Sequence, residues 1–228
     1  MARSDVAALV PAYRAAATIA EVVTGAQAHC ARVIVVDDGS GDETAARARA
    51  AGAEVLVHPV NAGKGAAIAT GLRALEATGV TRALTLDADG QHLPREIPVL
   101  LDASDAAPAA IVVGVRRKTG HTIRRLNRFG NWIADRLLRL IAGQPLPDTQ
   151  SGFRVYPVAT TLSLGVRGTH YDFETEVLLR AARHQIPLVG VPVDVHYPPV
   201  AERVSHFRPA RDTIRIIETV LRVLARPG

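Results

Sequence analysis

An apolar run that ends in two carboxylates occupies the middle of the chain, Ala83-Leu84-Thr85-Leu86-Asp87-Ala88-Asp89-Gly90-Gln91-His92. Such a segment is typical of a buried parallel strand, which delivers its last residues to the carboxyl edge of an α/β sheet, where these sheets bind ligands. Asp87 and Asp89 supply hard oxygen ligands, which suit Mg²⁺ or Mn²⁺ bound together with substrate phosphates. The stretch therefore predicts a divalent-metal site that holds a diphosphate, with a simple turn of capping aspartates as the alternative.

Strand and helix patterns alternate on both sides of this stretch. Apolar runs predict strands at 6–10, 33–36, 54–58, 111–115 and 189–195, with a short strand beginning near Arg154. Helical periodicity predicts a helix capped by Thr18, and others from Asp42 to about Ala51, after Gly65, after Pro94, and over 122–142, 173–184 and 212–225. This alternation predicts an α/β fold with a mostly parallel, Rossmann-like sheet flanked by helices.

The composition is that of one globular domain. The chain has 228 residues, of which 48% are hydrophobic and 21% charged, enough for one sizeable core. No linker or internal repeat divides it, so we expect a single domain over 1–228. The single cysteine, Cys30, excludes an internal disulfide. Asp5 and Arg14 argue against a signal peptide, and no apolar window approaches about 18 residues, so we expect a cytoplasmic protein.

The net charge of +5 is unevenly distributed. Between Arg116 and Arg139 there are eight basic residues and one acid, Asp135. Such a block favours an anionic partner, either phosphates, a membrane surface or nucleic acid, unless it is simply a solvated helix face. Nucleic acid is disfavoured because aromatic residues make up only 4% of the chain and are not interleaved with the basic ones.

Two further segments are expected near the carboxylates of 83–92. Asp37 and Asp38 follow the strand at 33–36, where an acid can accept hydrogen bonds from a ribose or base, although a tight turn explains the pair as well. Gly63-Lys64-Gly65 places a cation and backbone amides at the start of a helix, which predicts an anion site. A glycine turn with a solvated lysine is the alternative.

Five segments occur in an order that is similar to a known enzyme family. They are Pro11-Ala12-Tyr13, the Val-Val-Asp-Asp-Gly-Ser of 35–40, the Asn-Ala-Gly-Lys-Gly of 61–65, 87–92, and Asp148-Thr149-Gln150-Ser151-Gly152-Phe153-Arg154. Together they resemble the inverting glycosyltransferases of family two, specifically the dolichyl-phosphate mannosyltransferase-like (polyprenyl-phosphate glycosyltransferase) branch, over Val6 to about Arg215. The resemblance implies a single-domain GT-A-type fold. It also implies Mg²⁺- or Mn²⁺-dependent transfer of a hexose, mannose or glucose, from a GDP- or UDP-linked sugar to a polyprenyl or dolichyl phosphate.

The resemblance also implies roles for individual residues. Those assigned to the metal and diphosphate are Asp87, Asp89 and Gln91, and those assigned to the nucleoside are Pro11, Tyr13 and Asp38. Arg116 would face the transferred phosphates, and Glu174 would point inward on the acceptor side. The chain departs from the family at Val115, where a serine is usual, and at Arg14-Ala15, where Asn-Glu is usual. The second departure leaves the donor base, guanine or uracil, open.

The full set of candidates combines residues that the resemblance implies with others chosen for their side-chain chemistry. We also expect Asp37, Lys64 and Asp87 to bind the nucleotide sugar. The catalytic candidates are Asp89, Asp148, Arg116 and Arg128. The acceptor or phosphate group is Arg125, Ser151, Glu174, His206 and Arg208. A lipid phosphate is already anionic and needs cations rather than a general base, whereas a hydroxyl acceptor would need a positioned carboxylate, for which Asp148 is the candidate.

The chain divides into a nucleotide-sugar half at about 1–115, an acceptor half at about 116–210 and a C-terminal amphipathic helix at about 212–225. That helix carries an apolar stripe among arginines, so it can lie on an anionic membrane or pack on the core. We expect a peripheral protein on the inner face of the cytoplasmic membrane, alone or with a membrane-protein partner. The alternatives are transfer to a sugar or other hydroxyl acceptor, and a non-catalytic basic module that binds membrane or nucleic acid.

Overall fold

A computed structural model gives the structure of residues 3–117, 147–196 and 209–225. Four candidate site residues lie outside the described residues: Arg125, Arg128, His206 and Arg208. The predicted helix over 122–142 lies outside them as well, so the roles suggested for this basic segment stay predictions.

The described residues form seven strands and seven helices. The strands are β1 (Arg3–Ala12), β2 (Cys30–Asp37), β3 (Glu54–Val57), β4 (Arg82–Thr85), β5 (Ile111–Arg116), β6 (Arg154–Pro157) and β7 (Leu188–Val193). The helices are α1 (Ile19–Gln27), α2 (Thr44–Ala50), α3 (Lys64–Glu76), α4 (Ile97–Ala106, after a 3₁₀ turn at Pro94–Glu96), α5 (Val158–Ser163), α6 (Asp172–Arg183) and α7 (Pro209–Ala225).

The strands form one sheet in the order β3-β2-β1-β4-β6-β5-β7. All described neighbours pair in parallel except β6, which runs antiparallel to both β4 and β5. The predicted α/β fold with a mostly parallel sheet is confirmed. The sequence indicated β6 but not its direction, and it did not indicate α5.

Alternate residues of the strands feed two apolar layers, one on each face of the sheet. In β1, Val6, Ala8 and Val10 face a layer with α1, α2 and α4, whereas Ala7 and Leu9 face a layer with α3, α5 and α6. Burial on both faces explains why this strand is continuously apolar. Close packing has a local requirement at Gly71 of α3, where a Cβ would lie 2.1 Å from Cδ1 of Leu9.

The parallel register brings the ends of four strands to one edge of the sheet. Ala12 pairs with Asp37, and Leu9 pairs with Thr85, so the segments after β1, β2 and β4 emerge together. Because β6 runs the other way, its first residue, Arg154, pairs with Thr85 at that same edge. The reversed strand is therefore what brings the loop 147–153 to the carboxylates that follow β4.

Candidate functional site

The segment after β4 forms a tight polar turn. Asp89 accepts hydrogen bonds from the backbone N–H of Gln91 (3.0 Å) and from its side-chain amide (2.8 Å), and Gly90 adopts φ +74°. The hydroxyl of Thr18 donates to the carbonyl of Ala88 at 2.6 Å. Thr18 is the N-cap residue of α1, as predicted, but its side chain makes no cap bond, because the hydroxyl holds the carboxylate turn instead.

A half-buried lysine connects this turn to α6. Nζ of Lys64 lies 2.6 Å from Oδ1 of Asp87 and 3.0 Å from Oε1 of Glu174. It also lies 5.7 Å from the centre of the Tyr171 ring. The side chains of Lys64 and Glu174 are 17% and 3% exposed, so the lysine places one positive charge between two largely desolvated carboxylates. The lysine is therefore not a solvated turn residue.

The two carboxylates of the turn are electrostatically different. Burial would raise the pKa of Asp87, but the charge of Lys64 lowers it to about 2. Burial and the neighbouring charge of Asp87 raise the pKa of Asp89 above its ordinary value. Asp87 already has a counter-ion within the protein, whereas Asp89 is held at a position that favours the approach of a cation.

His92 supports the turn as a neutral ring. Its Nδ1 accepts a hydrogen bond from the backbone N–H of Asp87 at 3.0 Å, and its ring stacks on Phe153 with centroids 4.8 Å apart. Burial lowers the pKa of His92 to about 4, although the charge of Asp87 opposes this effect. The proton of the neutral ring is therefore on Nε2, which lies 3.7 Å from Oδ2 of Asp87.

The donors in the turn fit a small divalent cation. Two carboxylates and the amide oxygen of Gln91 are hard ligands within five residues of sequence, and a cation would relieve the repulsion that raises the pKa of Asp89. In the described ranges, no group of three or more His, Cys, Asp or Glu side chains could hold a metal ion. Mg²⁺ and Mn²⁺ can take one or two carboxylates and complete their coordination with water and substrate phosphates, and the donors of the turn fit that requirement.

Asp37 and Asp38 are buried and bonded within the protein. The Asp37 carboxylate accepts hydrogen bonds from the backbone and hydroxyl of Ser40. Asp38 lies 2.7 Å from Nδ1 of His58 and accepts the backbone N–H groups of Ala62 (2.9 Å) and Gly63 (2.7 Å). The anion beside the backbone amides that precede α3 is thus Asp38 itself, and its contact with a nucleoside stays a prediction.

The other nucleoside candidates lie beside this pair. Pro11 is buried at the end of β1, and Tyr13 is half-buried. The guanidinium of Arg14 lies 5.2 Å from the centre of the Tyr13 ring, and its backbone N–H donates to the hydroxyl of Ser40 at 2.9 Å. The arginine that replaces the usual asparagine thus packs against one proposed nucleoside contact.

Arg116 and Asp148 form a bidentate ion pair. Nε and Nη2 of Arg116 donate to the two oxygens of Asp148 at 2.6 and 2.9 Å. Burial would raise the pKa of Asp148, but the hydrogen bonds and charge of Arg116 outweigh it and hold the pKa below its ordinary value. Asp148 is therefore a weak base, and the pair joins the end of β5 to the loop before β6.

Arg154 holds that loop from within the core. Its guanidinium is fully buried and donates to the carbonyls of Ser151 (2.7 Å), Thr149 (2.9 Å) and Glu174 (2.8 Å). Ser151 is also buried, and its hydroxyl accepts the N–H of Phe153 at 3.4 Å. These contacts give Ser151 a part in the loop's backbone, and its contact with an acceptor stays a prediction.

Gly152 leaves space for the ion pair beneath it. A Cβ on Gly152 would lie 2.6 Å from Oδ1 of Asp87 and 2.7 Å from Nζ of Lys64. We expect Gly152→Ala to separate these two groups and to lower turnover roughly tenfold, about 1.4 kcal/mol, with little change in folding. Steady-state kinetics tests this against Gly79→Asn, in the turn after α3, where an added Cβ meets no atoms and asparagine tolerates the positive φ of +75°. Equal activities would contradict it.

Three of these residues, His58, His92 and Arg154, carry no role in the sequence-based predictions. All three lie within or beside the predicted segments, and the partners of His58 and Arg154 are distant in sequence. Arg154 alone gave a usable signal, since a single charge inside the apolar run Phe153–Tyr156 indicates a buried, fully bonded cation.

The fold and site define a class of α/β enzymes that bind phosphorylated ligands at the carboxyl edge of the sheet. Residues 7–160 match the sequence model of Glycosyl transferase family 2, and the chain belongs to this family of glycosyltransferases. The predicted family is thereby confirmed. Among the described helices, none is long and apolar enough to cross a membrane.

Two relatives and one solved structure extend the comparison. The chain is 28% identical over 212 residues to UDP-N-acetylglucosamine–dolichyl-phosphate N-acetylglucosaminyltransferase of Methanococcus voltae, covering 83% of this chain and 84% of that one. It is 30% identical over 205 residues to polyprenol monophosphomannose synthase of Mycolicibacterium smegmatis, covering 81% and 75%. Glucosyl-3-phosphoglycerate synthase from Mycobacterium tuberculosis, crystallised with Mn²⁺, UDP and glucosyl-3-phosphoglycerate, aligns with a TM-score of 0.75 at 23% identity, covering 99% and 81%. The alignment with that structure confirms the GT-A fold.

Proposed function

We propose that the protein transfers a hexose, mannose or glucose, from a GDP- or UDP-linked sugar to a polyprenyl phosphate, using Mg²⁺ or Mn²⁺. The acceptor phosphate oxygen attacks the anomeric carbon while the bond from that carbon to the diphosphate breaks, which inverts the configuration and releases the nucleoside diphosphate. The acceptor is a membrane lipid, so the protein meets it as a peripheral protein on the inner face of the cytoplasmic membrane, alone or with a membrane-protein partner.

The Arg116–Asp148 pair is the observation that carries this choice of acceptor. A sugar hydroxyl must lose its proton to a base, and Asp148 is poorly suited because Arg116 occupies both of its oxygens and lowers its pKa. A phosphate acceptor arrives without a proton to remove, and it requires cations near the donor diphosphate. The two relatives described above, whose names specify lipid-phosphate acceptors, support the same assignment.

The donor diphosphate would lie over the turn after β4. Asp87, Asp89 and Gln91 would hold the metal, which when bound offsets negative charge on the diphosphate leaving group. Lys64 and Arg116 add fixed positive charge on either side of Asp87, and His92 keeps that aspartate's backbone in place. On the other side of the edge, Asp38 and Asp37 hold the turns against which Pro11 and Tyr13 would position the nucleoside.

Transfer from labelled donors tests the proposal. A panel of radiolabelled GDP- and UDP-hexoses is incubated with Mn²⁺, with and without polyprenyl phosphate, and the label that partitions into organic solvent is counted. We expect extractable label only with the lipid phosphate and with one donor base. Activity on a hydroxyl acceptor, with none on any lipid phosphate, would overturn the proposal in favour of sugar–sugar transfer.

The variant Asp148→Asn distinguishes transfer to a phosphate acceptor from transfer to a hydroxyl acceptor. If Asp148 only positions Arg116, we expect turnover to fall roughly tenfold with an unchanged pH profile. A general base would cost about 10²–10⁴-fold and would remove the ionisation that its titration imposes on the pH profile. Asp194→Asn is the matched control, because Asp194 forms an exposed pair with Arg117 at 3.4 Å.

A further inference from the structure

Helix α7 packs on the protein through a face that is partly polar and partly apolar. Asp212 and Thr219 are 5% and 0% exposed, and Val223 lies with them on the buried face. Its large apolar side chains point the other way, with exposures of 42–59% for Ile214, Ile217, Leu221 and Leu224. An amphipathic helix ordinarily buries its apolar stripe, whereas α7 buries Val223 and part of Val220 and leaves this larger apolar row exposed.

This exposed stripe is unusual within the molecule. Among the described residues, seven large hydrophobic side chains are exposed, and four of them lie on α7. The other three are Val57, Val60 and Val99, on two other parts of the chain. Spacings of three and four residues place the four α7 side chains in one row, which forms a continuous apolar surface rather than scattered exposure.

Buried hydrogen bonds fix the helix in this orientation. Thr219 donates through its hydroxyl to Oδ2 of Asp172 at 3.1 Å, and Arg183 donates to the carbonyl of Val223. Turning the stripe inward would break the buried Thr219–Asp172 bond and leave both groups without that partner, which is costly in a desolvated interface. The apolar row is thus held outward by the same contacts that attach the helix.

We propose that this outward face of α7 docks on a membrane surface that contains anionic lipids. Exposed Arg211 and half-buried Arg215 and Arg222 flank the row on one side together with a single exposed acid, Glu218. Of these arginines, Arg215 also lies 3.8 Å from the buried carboxylate of Asp212. An apolar row that enters the headgroup boundary beside a basic flank is the arrangement by which interfacial helices bind anionic bilayers. The helix has 17 residues, a length of about 25 Å, and would lie along the surface.

The inner side of α7, opposite to the docking face, packs on α6, the helix that carries Glu174. Asp172, which Thr219 contacts, is the first residue of α6 and also accepts the backbone N–H of His170 at 2.9 Å. Glu174, the partner of Lys64, follows two residues later on the same helix. The inference rests on the proposed function for the identity of the lipid acceptor, and it adds the surface by which the protein reaches that lipid.

Vesicle flotation with the full-length protein tests the proposal. Vesicles of phosphatidylcholine alone and with about 30% phosphatidylglycerol are compared, using wild type and the double variant Ile217→Gln/Leu221→Gln. Glutamine retains good helix propensity, and circular dichroism checks folding. We expect wild type to float with the anionic vesicles and less with neutral ones, and the double variant to lose at least about tenfold in partitioning. Val99→Gln, on α4, is the matched control and keeps wild-type flotation.

Each possible result of this experiment either supports or overturns a stated proposal. Equal flotation of wild type and the double variant, or no flotation of wild type, overturns the proposal. A wild-type dimer by light scattering that becomes monomeric in the double variant shows that a second copy covers the face, and also overturns it. Transfer to a short, water-soluble prenyl phosphate separates this question from catalysis, because the double variant should retain it. A protein that floats but transfers to no lipid phosphate contradicts the proposed function alone.

Discussion

Asp89→Asn should lower metal-dependent transfer by about 10³-fold while leaving the metal-free protein at least as stable as wild type. The loss follows because Asp89 is the turn's best-placed ligand for a cation, with its carboxylate oriented by Gln91. Stability is retained because burial and the charge of Asp87 raise the pKa of Asp89, so its ionised form disfavours folding.

The sign of the pH dependence follows from that raised pKa. A carboxyl group whose folded pKa exceeds its unfolded value contributes stability that is fully present below the unfolded pKa and is lost as pH rises through the folded pKa. Wild type and Asp89→Asn should therefore differ little in unfolding free energy below about pH 4, and the variant should be the more stable at pH 7. Denaturant titrations at both pH values measure this.

Metal addition gives a readout that does not require turnover. Mn²⁺ should raise the melting temperature of wild type and have no such effect on Asp89→Asn, because binding to the native state alone stabilises it. Asp102→Asn is the control, since Asp102 is 70% exposed and pairs with Arg3, away from the turn. Retained turnover in Asp89→Asn would contradict the metal assignment.

The sequence predicted which residues lie at the carboxyl edge of the sheet, because their position depends on the local hydrophobic pattern and on the parallel register. Apolar runs identified β1, β2 and β4, and parallel pairing then placed Asp37 and Asp87 on one side of the sheet. The direction of β6 was not predictable in this way, since a four-residue strand carries the same periodicity whichever way it runs. That reversal is nevertheless what brings Asp148 to the site.

Contacts between side chains that are far apart in sequence could not be predicted from the sequence pattern either. Lys64 and Glu174 are separated by 110 positions, and no spacing rule joins them. The C-terminal helix illustrates a different limit. Its amphipathic pattern was recognised, but the pattern alone favours burial of Ile217 and Leu221, whereas in the structure Thr219 and Val223 face the protein and those two side chains face outward. Tertiary hydrogen bonds, which the sequence does not state, determine that orientation.

Lys64→Met should both destabilise the protein and weaken donor binding. Removing the lysine leaves Asp87 and Glu174 without their shared counter-ion, and loss of one partner from a buried pair costs about 3 kcal/mol. Burial already raises the pKa of Glu174 against the opposing charge of Lys64, so Glu174 will take up a proton in the variant. The double variant Lys64→Met/Glu174→Gln should therefore recover part of the lost stability.

The loss of stability at acid pH should also change in Lys64→Met. The pKa of Asp87 is lowered to about 2, so its pairing contributes stability above the unfolded pKa near 3.8, which is lost as pH falls towards 2. This contribution is about 2 kcal/mol in wild type and should disappear in Lys64→Met. Unfolding free energies at pH 3 and pH 6 would show a smaller difference in the variant than in wild type.

Added metal should partly replace the missing lysine charge. In wild type the Asp87 carboxylate is already neutralised by Lys64, so a divalent cation must compete with a tethered one. In Lys64→Met that competition is gone, and Mn²⁺ should raise the melting temperature by more than it does in wild type.

The donor nucleotide should bind to Lys64→Met roughly tenfold to a hundredfold more weakly than to wild type, because a cation beside its phosphates is lost. Arg95→Met, at a side chain that is 70% exposed, removes the same charge and serves as the control. If Mn²⁺ stabilised Lys64→Met less than wild type, Lys64 would be supporting the metal rather than competing with it.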